Sequence, residues 1–177
     1  MTQRDAIALI DHPLLRAATP TRWADLGCGS GTFTLALAAL LPPGSTIDAI
    51  DLRPGIARQT TARGVTIIPR SADFVTDDLA LSGLDGVLMA NALHYVRDKP
   101  ALLQKLRAYY RAPTQGALLL VEYDTDRPTP HWVPYPLSHA KAAELLPAAG
   151  WPQIQKLGSR PSAFGRSELY ALLALSN

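Results

Sequence analysis

A short apolar stretch from Trp23 ends in a carboxylate, Asp25, passes three alternating glycines, Gly27, Gly29 and Gly31, and runs directly into the aliphatic segment Thr34–Leu41. That order predicts a strand, a tight turn and a helix. Glycine is needed where the backbone takes dihedrals, or approaches a neighbour, that a Cβ would forbid, so the turn reads as a loop pressed against a ligand. The start of the helix adds unpaired N–H groups pointing at the same place. Further polar groups end later predicted strands: Asp51, Asp73 beside Phe74, and Asn91 with His94 and Tyr95. Open α/β sheets bind ligands at the carboxyl ends of their strands, so these residues are the candidates for chemistry.

Asp51 lies twenty residues beyond Gly31, the interval at which a βαβ unit returns its second strand tip beside the first. A carboxylate there accepts two bonds at once, which suits the two ribose hydroxyls of a nucleoside, while a cap on the Arg53-Pro54-Gly55 turn is its structural alternative. Asp48 competes for the same role, but its neighbours put it inside the strand. His94 titrates near neutrality, so it suits proton transfer from a substrate hydroxyl or ammonium; packing and hydrogen bonding beneath a ligand is its other reading. Tyr95 is an aromatic wall or a packing residue. Cys28, between two glycines, is a nucleophile or a small side chain tucked behind the turn.

Asp25-Leu26-Gly27-Cys28-Gly29-Ser30-Gly31-Thr32 resembles the first motif, D/E-x-G-x-G-x-G, of the class I S-adenosylmethionine-dependent methyltransferases. A dinucleotide fingerprint would place the third glycine one residue later. Asn91-Ala92-Leu93-His94-Tyr95-Val96 is similar to the N-x-L-H-x-V stretch of the small-molecule branch, the type 11 and type 25 methyltransferases. The resemblance runs from Trp23 to Leu175. It implies an α/β, Rossmann-like three-layer sandwich with a seven-stranded, mostly parallel sheet and an antiparallel C-terminal strand. It also implies S-adenosyl-L-methionine as cofactor and a small-molecule methyl acceptor as partner. On that basis the glycine turn and Asp25 hold the amino-acid part of the cofactor, Asn91 lies nearby, and Asp51 and Leu52 flank the nucleoside. Asp73 accepts from the adenine amino group, Phe74 lies against the ring, and His94 and Tyr95 are the catalytic candidates. The prolines of the N/D/S-P-P-Y/F motif, typical of enzymes that methylate amino groups of nucleic-acid bases or glutamine, are missing after Asn91. Two other readings remain: a cofactor-binding protein that activates a partner without transferring methyl groups, and a nicotinamide-dependent oxidoreductase, against which the glycine spacing argues.

The elements that must position these residues follow in order. One or two short helices over Gln3–Ala18, broken at Pro13, lead into the first strand. Pro42-Pro43-Gly44 stops the glycine-turn helix, and Thr46–Asp51 forms the second strand. A helix is predicted over Gly55–Arg63, a third strand over Gly64–Pro69, and a polar loop or short helix over Thr76–Gly83. Asp85–Asn91 reads as a buried parallel strand, nearly continuous in apolar residues. Asp98 and Pro100 open a helix to Arg111, and Ala117–Tyr123 forms the fifth strand. Arg127–Pro136 holds four prolines with His131, Trp132 and Tyr135, and is a stiff substrate wall or a packed crossover. Ser138 caps a helix over His139–Ala149, and two closing strands, Ile154–Gly158 and Ser167–Leu175, are joined by a loop over Ser159–Arg166.

At 177 residues the chain fits one domain, with residues 1–20 as a helical lead and 21–177 as the core. A domain near this size removes about 70% of its extended-chain surface from water. Lys plus Arg number 17 against 15 Asp plus Glu, a formal charge of +2 without like-charge blocks, which argues against nucleic acid as the partner. Cys28 is the single cysteine, so no intrachain disulfide framework exists and a reducing compartment is expected. No secretory signal or membrane-length apolar run is read, which makes a cytoplasmic location without membrane attachment the expectation. The histidines at 12, 94, 131 and 139 have no metal-ligand spacing, so no metal is expected. Oligomeric state is not legible.

Overall fold

The computed structural model describes residues 1–111, 115–162 and 168–176. Among these, eight strands form one sheet: β1 (Arg22–Leu26), β2 (Thr46–Asp51), β3 (Gln59–Thr60), β4 (Thr66–Ser71), β5 (Gly86–Ala90), β6 (Ala117–Tyr123), β7 (Gln153–Pro161) and β8 (Glu168–Leu175). The helices are α1 (Gln3–Ile10), α2 (Thr32–Leu40), α3 (Lys99–Arg107) and α4 (His139–Ala148), with short 3-10 turns over Pro13–Arg16 and Leu93–Tyr95. The strand order is β3-β4-β2-β1-β5-β6-β8-β7. The five strands from β4 to β6 are parallel, β8 runs antiparallel to β6, and β7 runs antiparallel to β8. From β1 the chain builds outward to β2 and β4 on one side, then crosses to β5 and β6 on the other. The tips of β1 and β5 therefore form the switch point where such sheets leave a crevice.

Period-two alternation along the strands divides the apolar residues between two layers. Ala24, Leu26, Val87 and Met89 pack with Leu103 and Leu106 of α3 and Leu146 of α4. Trp23, Ile47, Leu88 and Leu119 face the opposite way, onto Ile10 of α1 and Leu37 of α2. Each fully buried leucine or isoleucine contributes about 1.5–3 kcal/mol, and this burial, rather than helix propensity, holds short helices such as α2 in place.

Side chains set the helix starts. Thr2 and Asp5 form a reciprocal capping box on α1, Asp98 accepts from Ala101 N–H at 3.0 Å, and Ser138 accepts from Lys141 N–H at 3.4 Å. No side chain caps α2 at Gly31, so the first amides of this helix have no capping acceptor.

The α/β three-layer architecture agrees with the sequence reading, with two local corrections. Residues 55–63 do not form a helix. Gly55 N–H donates to Gly29 O at 2.7 Å, and the segment continues into the two-residue β3 against β4, an eighth strand in place of the expected seven. Thr60 and Thr61 favour extended backbone there, and the segment lacks an apolar stripe to hold a helix down. The stretch over 76–83 takes the loop form, one of the two expected for it. α3 ends at Arg107 and not at Arg111, because Tyr110 forms a parallel bridge with Leu84. The closing strands are present and β7 runs on to Pro161, while residues 163–167 of the expected joining loop, with the expected strand start at Ser167, lie outside the described residues. Among the described residues, no helix is long and apolar enough to cross a membrane.

Candidate active site

β1 delivers Asp25 to the switch point one residue before its tip. The side chain is 1% exposed; Thr34 Oγ1, from the first turn of α2, donates to Oδ2 at 2.6 Å, and Oδ1 has no partner. Burial pushes the carboxyl up to about 7, partly countered by the Thr34 bond and reinforced by the charge of Asp51. An unpartnered buried carboxylate oxygen is costly unless something cationic or donating meets it.

The turn after Asp25 is anchored on both sides. Gly27 and Cys28 N–H donate to Ile50 O at 2.8 and 3.1 Å, so the turn leans on β2. Gly27 has φ +81°, and a Cβ added there would lie 2.5 Å from the Cβ of Ala92 and 3.5 Å from Phe74 Cε1. Gly31 has φ +83° and sits under Ile56, whose Cδ1 would be 2.7 Å from an added Cβ. Both glycines are thus required by conformation and by close approach. Gly29 faces open space.

Asp51 ends β2 beside the turn, where its Oδ2 accepts Gly29 N–H at 3.0 Å and its Oδ1 accepts Arg53 N–H at 2.9 Å. Asp51 thus caps the following turn, the structural alternative read from the sequence, and stands against the glycines. Each oxygen keeps a second lone pair. Ala72 N–H donates to Asp51 O at 3.0 Å and Ser71 Oγ to Leu52 O at 2.9 Å, which draws the tips of β2 and β4 together. Leu52 projects with 67% of its surface exposed. Asp73 Oδ1 organises its own turn by accepting Val75 N–H at 2.8 Å, and half-buried Phe74 reaches toward Gly27.

On the β5 side, Asn91 takes the left-handed conformation, φ +54°, and its Oδ1 is buried without a partner. Asparagine tolerates this backbone better than other non-glycine residues, and such strain concentrates at working sites. A cavity of about 740 Å³ opens here. Asp25, Gly27, Gly29 and Asn91 line one end; Asp5 of α1, Tyr123 and Arg160 line the rest. Two unpartnered acceptor oxygens at one end of a cavity suit a ligand carrying an ammonium or another multiple donor. Gly31, Asp51, Leu52, Asp73 and Phe74 do not border this cavity, because the tips of β2 and β4 lie on the opposite side of β1.

His94 and Tyr95 also stand outside it. His94 is 2% exposed, its Nδ1 lies 2.6 Å from Glu122 Oε2, and its backbone N–H donates to Glu122 Oε1 at 3.1 Å. Nε2 has no hydrogen-bond partner among the described residues. The His94 ring packs 4.3 Å from Tyr95 and 5.9 Å from Tyr123, a cavity-lining residue. Tyr95 is 53% exposed. Tyr135 N–H donates to His94 O at 3.0 Å and Lys99 Nζ to Tyr135 O at 2.7 Å, which docks the proline-rich loop beside this pair. Glu122 lies in the fifth strand read from the sequence, Ala117–Tyr123, where that reading gives it no role. The available signal was a carboxylate in an otherwise apolar strand, since buried glutamates are nearly always paired. Cys28 is buried, and its surroundings push the thiol up to about 12, first by desolvation and then by the charges of Asp25 and Asp51. That shift disfavours the thiolate a nucleophile needs and favours the reading of a small side chain tucked behind the turn. Among the described residues, no three ligating side chains cluster as a metal site.

A family model described as a methyltransferase domain matches residues 24–113. A Mycobacterium bovis protein described as an uncharacterized methyltransferase is 31% identical over 84 residues, which are 46% of this chain and 41% of that protein. The chain thus spans less than half the length of the curated relatives it matches. Among solved structures, EvdMO1 is 26% identical with a TM-score of 0.60, over 89% of this chain and 37% of the other. The 1,6-didemethyltoxoflavin-N1-methyltransferase of Burkholderia thailandensis, solved with 1,6-didemethyltoxoflavin and S-adenosylhomocysteine, is 24% identical with a TM-score of 0.71, over 99% of this chain and 78% of the other.

Proposed function

We propose, because this chain belongs to the methyltransferase domain family, that it transfers a methyl group from S-adenosyl-L-methionine to a small-molecule acceptor. The observation that carries the reading is the pair of unpartnered buried oxygens, Asp25 Oδ1 and Asn91 Oδ1, at the end of the cavity beside the glycine turn. Those two oxygens fit the ammonium of the cofactor's amino-acid part. Asp51 fits the ribose hydroxyls through its remaining lone pairs, Leu52 and Phe74 supply apolar cover for the base, and the free oxygen of Asp73 suits the adenine amino group. The cofactor, when bound, supplies a methyl group already activated by its sulfonium sulfur.

The chain's own contribution is chiefly positioning, which in favourable cases supplies about 7–11 kcal/mol. Tyr95 and Tyr123 flank the acceptor side. We assign His94 as the candidate proton acceptor, with Glu122 on Nδ1 fixing the ring so that Nε2 is the basic nitrogen. Because His94 is buried outside the cavity, the methyl acceptor reaches it only when the neighbouring Tyr123 turns aside. The near-neutral composition, single cysteine and apolar cavity wall at Leu169 suit a cytoplasmic enzyme of small molecules rather than of nucleic acid.

Calorimetry with S-adenosylmethionine and S-adenosylhomocysteine, followed by an acceptor screen with a labelled methyl donor, tests the reading. Saturable binding of both compounds, weakened tenfold or more by Asp25→Asn, is the expected result. Absence of binding sinks it, and tight binding without transfer to any acceptor selects the partner-activating alternative.

A further inference from the structure

The cavity continues well past the glycine turn, and its far wall carries one charged contact. Arg160, near the end of β7, places Nη1 3.0 Å from Asp5 Oδ1 of α1, and both side chains line the cavity. Among the described lining residues, Arg160 is the only lysine or arginine. Asp5 Oδ2 also accepts Thr2 N–H at 3.2 Å, so the carboxylate is shared between the cap of α1 and the guanidinium. About a third of each side chain is exposed, and an exposed pair of this kind contributes little to stability. A guanidinium has five donors in a fixed fork that matches a carboxylate or phosphate bidentately, so this pairing leaves most of its capacity unused.

Position decides which anion it serves. Arg160 pairs with Leu169 of β8, and Leu169 pairs with Tyr123 of β6, which neighbours β5. Three strand spacings separate Arg160 from the tip that carries Asn91, roughly 14 Å along the sheet at 4.7–4.9 Å each. The carboxylate of an amino acid shares its carbon with the ammonium, so a group held at Asp25 and Asn91 keeps its carboxylate near them, across three strands from the backbone of Arg160. The wall between is Tyr123, Leu169 and Pro161, a surface for an apolar body.

We propose that Arg160 anchors an anionic group, a carboxylate or a phosphate, on the methyl acceptor, and that the acceptor takes this guanidinium over from Asp5. The acceptor is accordingly a small molecule with an apolar or aromatic body and an acidic end. This rests on the methyl-transfer reading above, and the test separates the two.

The protein is first titrated with S-adenosylhomocysteine; then the saturated complex is titrated with phenylacetate, phenyl phosphate and the neutral phenylacetamide. At least one of the two anions is expected to bind at least tenfold more tightly than the amide, and the tighter one identifies the chemistry. Arg160→Gln should abolish that preference while leaving the S-adenosylhomocysteine affinity within twofold, Arg160→Lys should retain part of it, and Asp5→Asn should strengthen it. Equal binding of acid and amide, no anion binding, or a preference that survives Arg160→Gln overturns the proposal while leaving methyl transfer standing. A tenfold loss of S-adenosylhomocysteine affinity in Arg160→Gln also overturns it, by giving Arg160 to the cofactor. Failure of the unmutated protein to bind S-adenosylhomocysteine removes the underlying reading and this one with it.

Discussion

Thr34 and Asp25 meet through a 2.6 Å hydrogen bond that satisfies one carboxylate oxygen and leaves the other buried and unpaired at the head of the cavity. The first turn of α2 thereby holds the carboxylate in position without neutralising it. The bond also sets the side chain's orientation, since Oδ2 is tied to the helix and Oδ1 is left unpaired.

The pH dependence of stability follows from this arrangement. The carboxyl of Asp25 is raised from 3.8 to about 7 in the folded chain, so between those values the folded state holds a proton that the unfolded state has released. The sign is then fixed: the contribution is fully present below about pH 4 and is lost as pH rises through about 7, amounting to about 4 kcal/mol. Denaturant midpoints of the unmutated protein should fall from pH 5 to pH 8. Asp25→Asn should flatten that slope, and an unchanged slope would remove Asp25 as its source.

A cationic ligand group at Asp25 favours the ionised form. Affinity for S-adenosylhomocysteine should therefore increase as pH rises from 6 to 8 and level off beyond, with proton release on binding at the lower pH. Calorimetry in buffers of different ionisation heat reads the released protons, and their absence contradicts an ammonium at this carboxylate.

Gly27→Ala combines a left-handed backbone with a contact of 2.5 Å to Ala92 Cβ. Overpacking of this kind costs about 1–3 kcal/mol, and the unfavourable φ adds about 1 kcal/mol. A second change, Ala92→Gly, should recover the packing part alone. Thermal midpoints of the single and double variants separate the two contributions.

Glu122→Leu leaves the His94 ring and the His94 N–H without their partner. An unsatisfied buried polar group costs about 1–3 kcal/mol, a fall in Tm of about 2–4 °C per kcal/mol for a chain of this size. Glu122→Gln keeps one acceptor and should lose less stability, yet it should shift the pH profile of methyl transfer if His94 accepts the proton. A profile unmoved by Glu122→Gln leaves His94 a packing residue.

Asp51→Ala removes the acceptors of Gly29 and Arg53 N–H at the base of the turn. Affinity for S-adenosylmethionine should fall tenfold or more, which corresponds to about 1.4 kcal/mol. Unchanged affinity takes Asp51 out of the site.

Much of this protein was legible from local sequence because the signals are local. Three glycines at alternating positions between an apolar run and a leucine-rich helix mark a turn wherever they occur, and Ala117–Tyr123 is too short and too aliphatic to be anything but a buried strand. Asp98 and Ser138 announced their helices by the chemistry of the cap. What local signals cannot carry is pairing between distant segments. Residues 55–63 have helix-compatible length, yet the Gly55 bond to Gly29 O outweighs that weak preference. His94 and Glu122 meet because β5 and β6 are neighbours, and Asp5 reaches Arg160 because α1 packs against β7. The sequence alone determined the turn, the strand tips and the kinds of polar group they present. Which of those groups share a cavity, which are buried as pairs and which are left unpartnered was decided only by the order and handedness of the sheet, since that order sets every long-range distance.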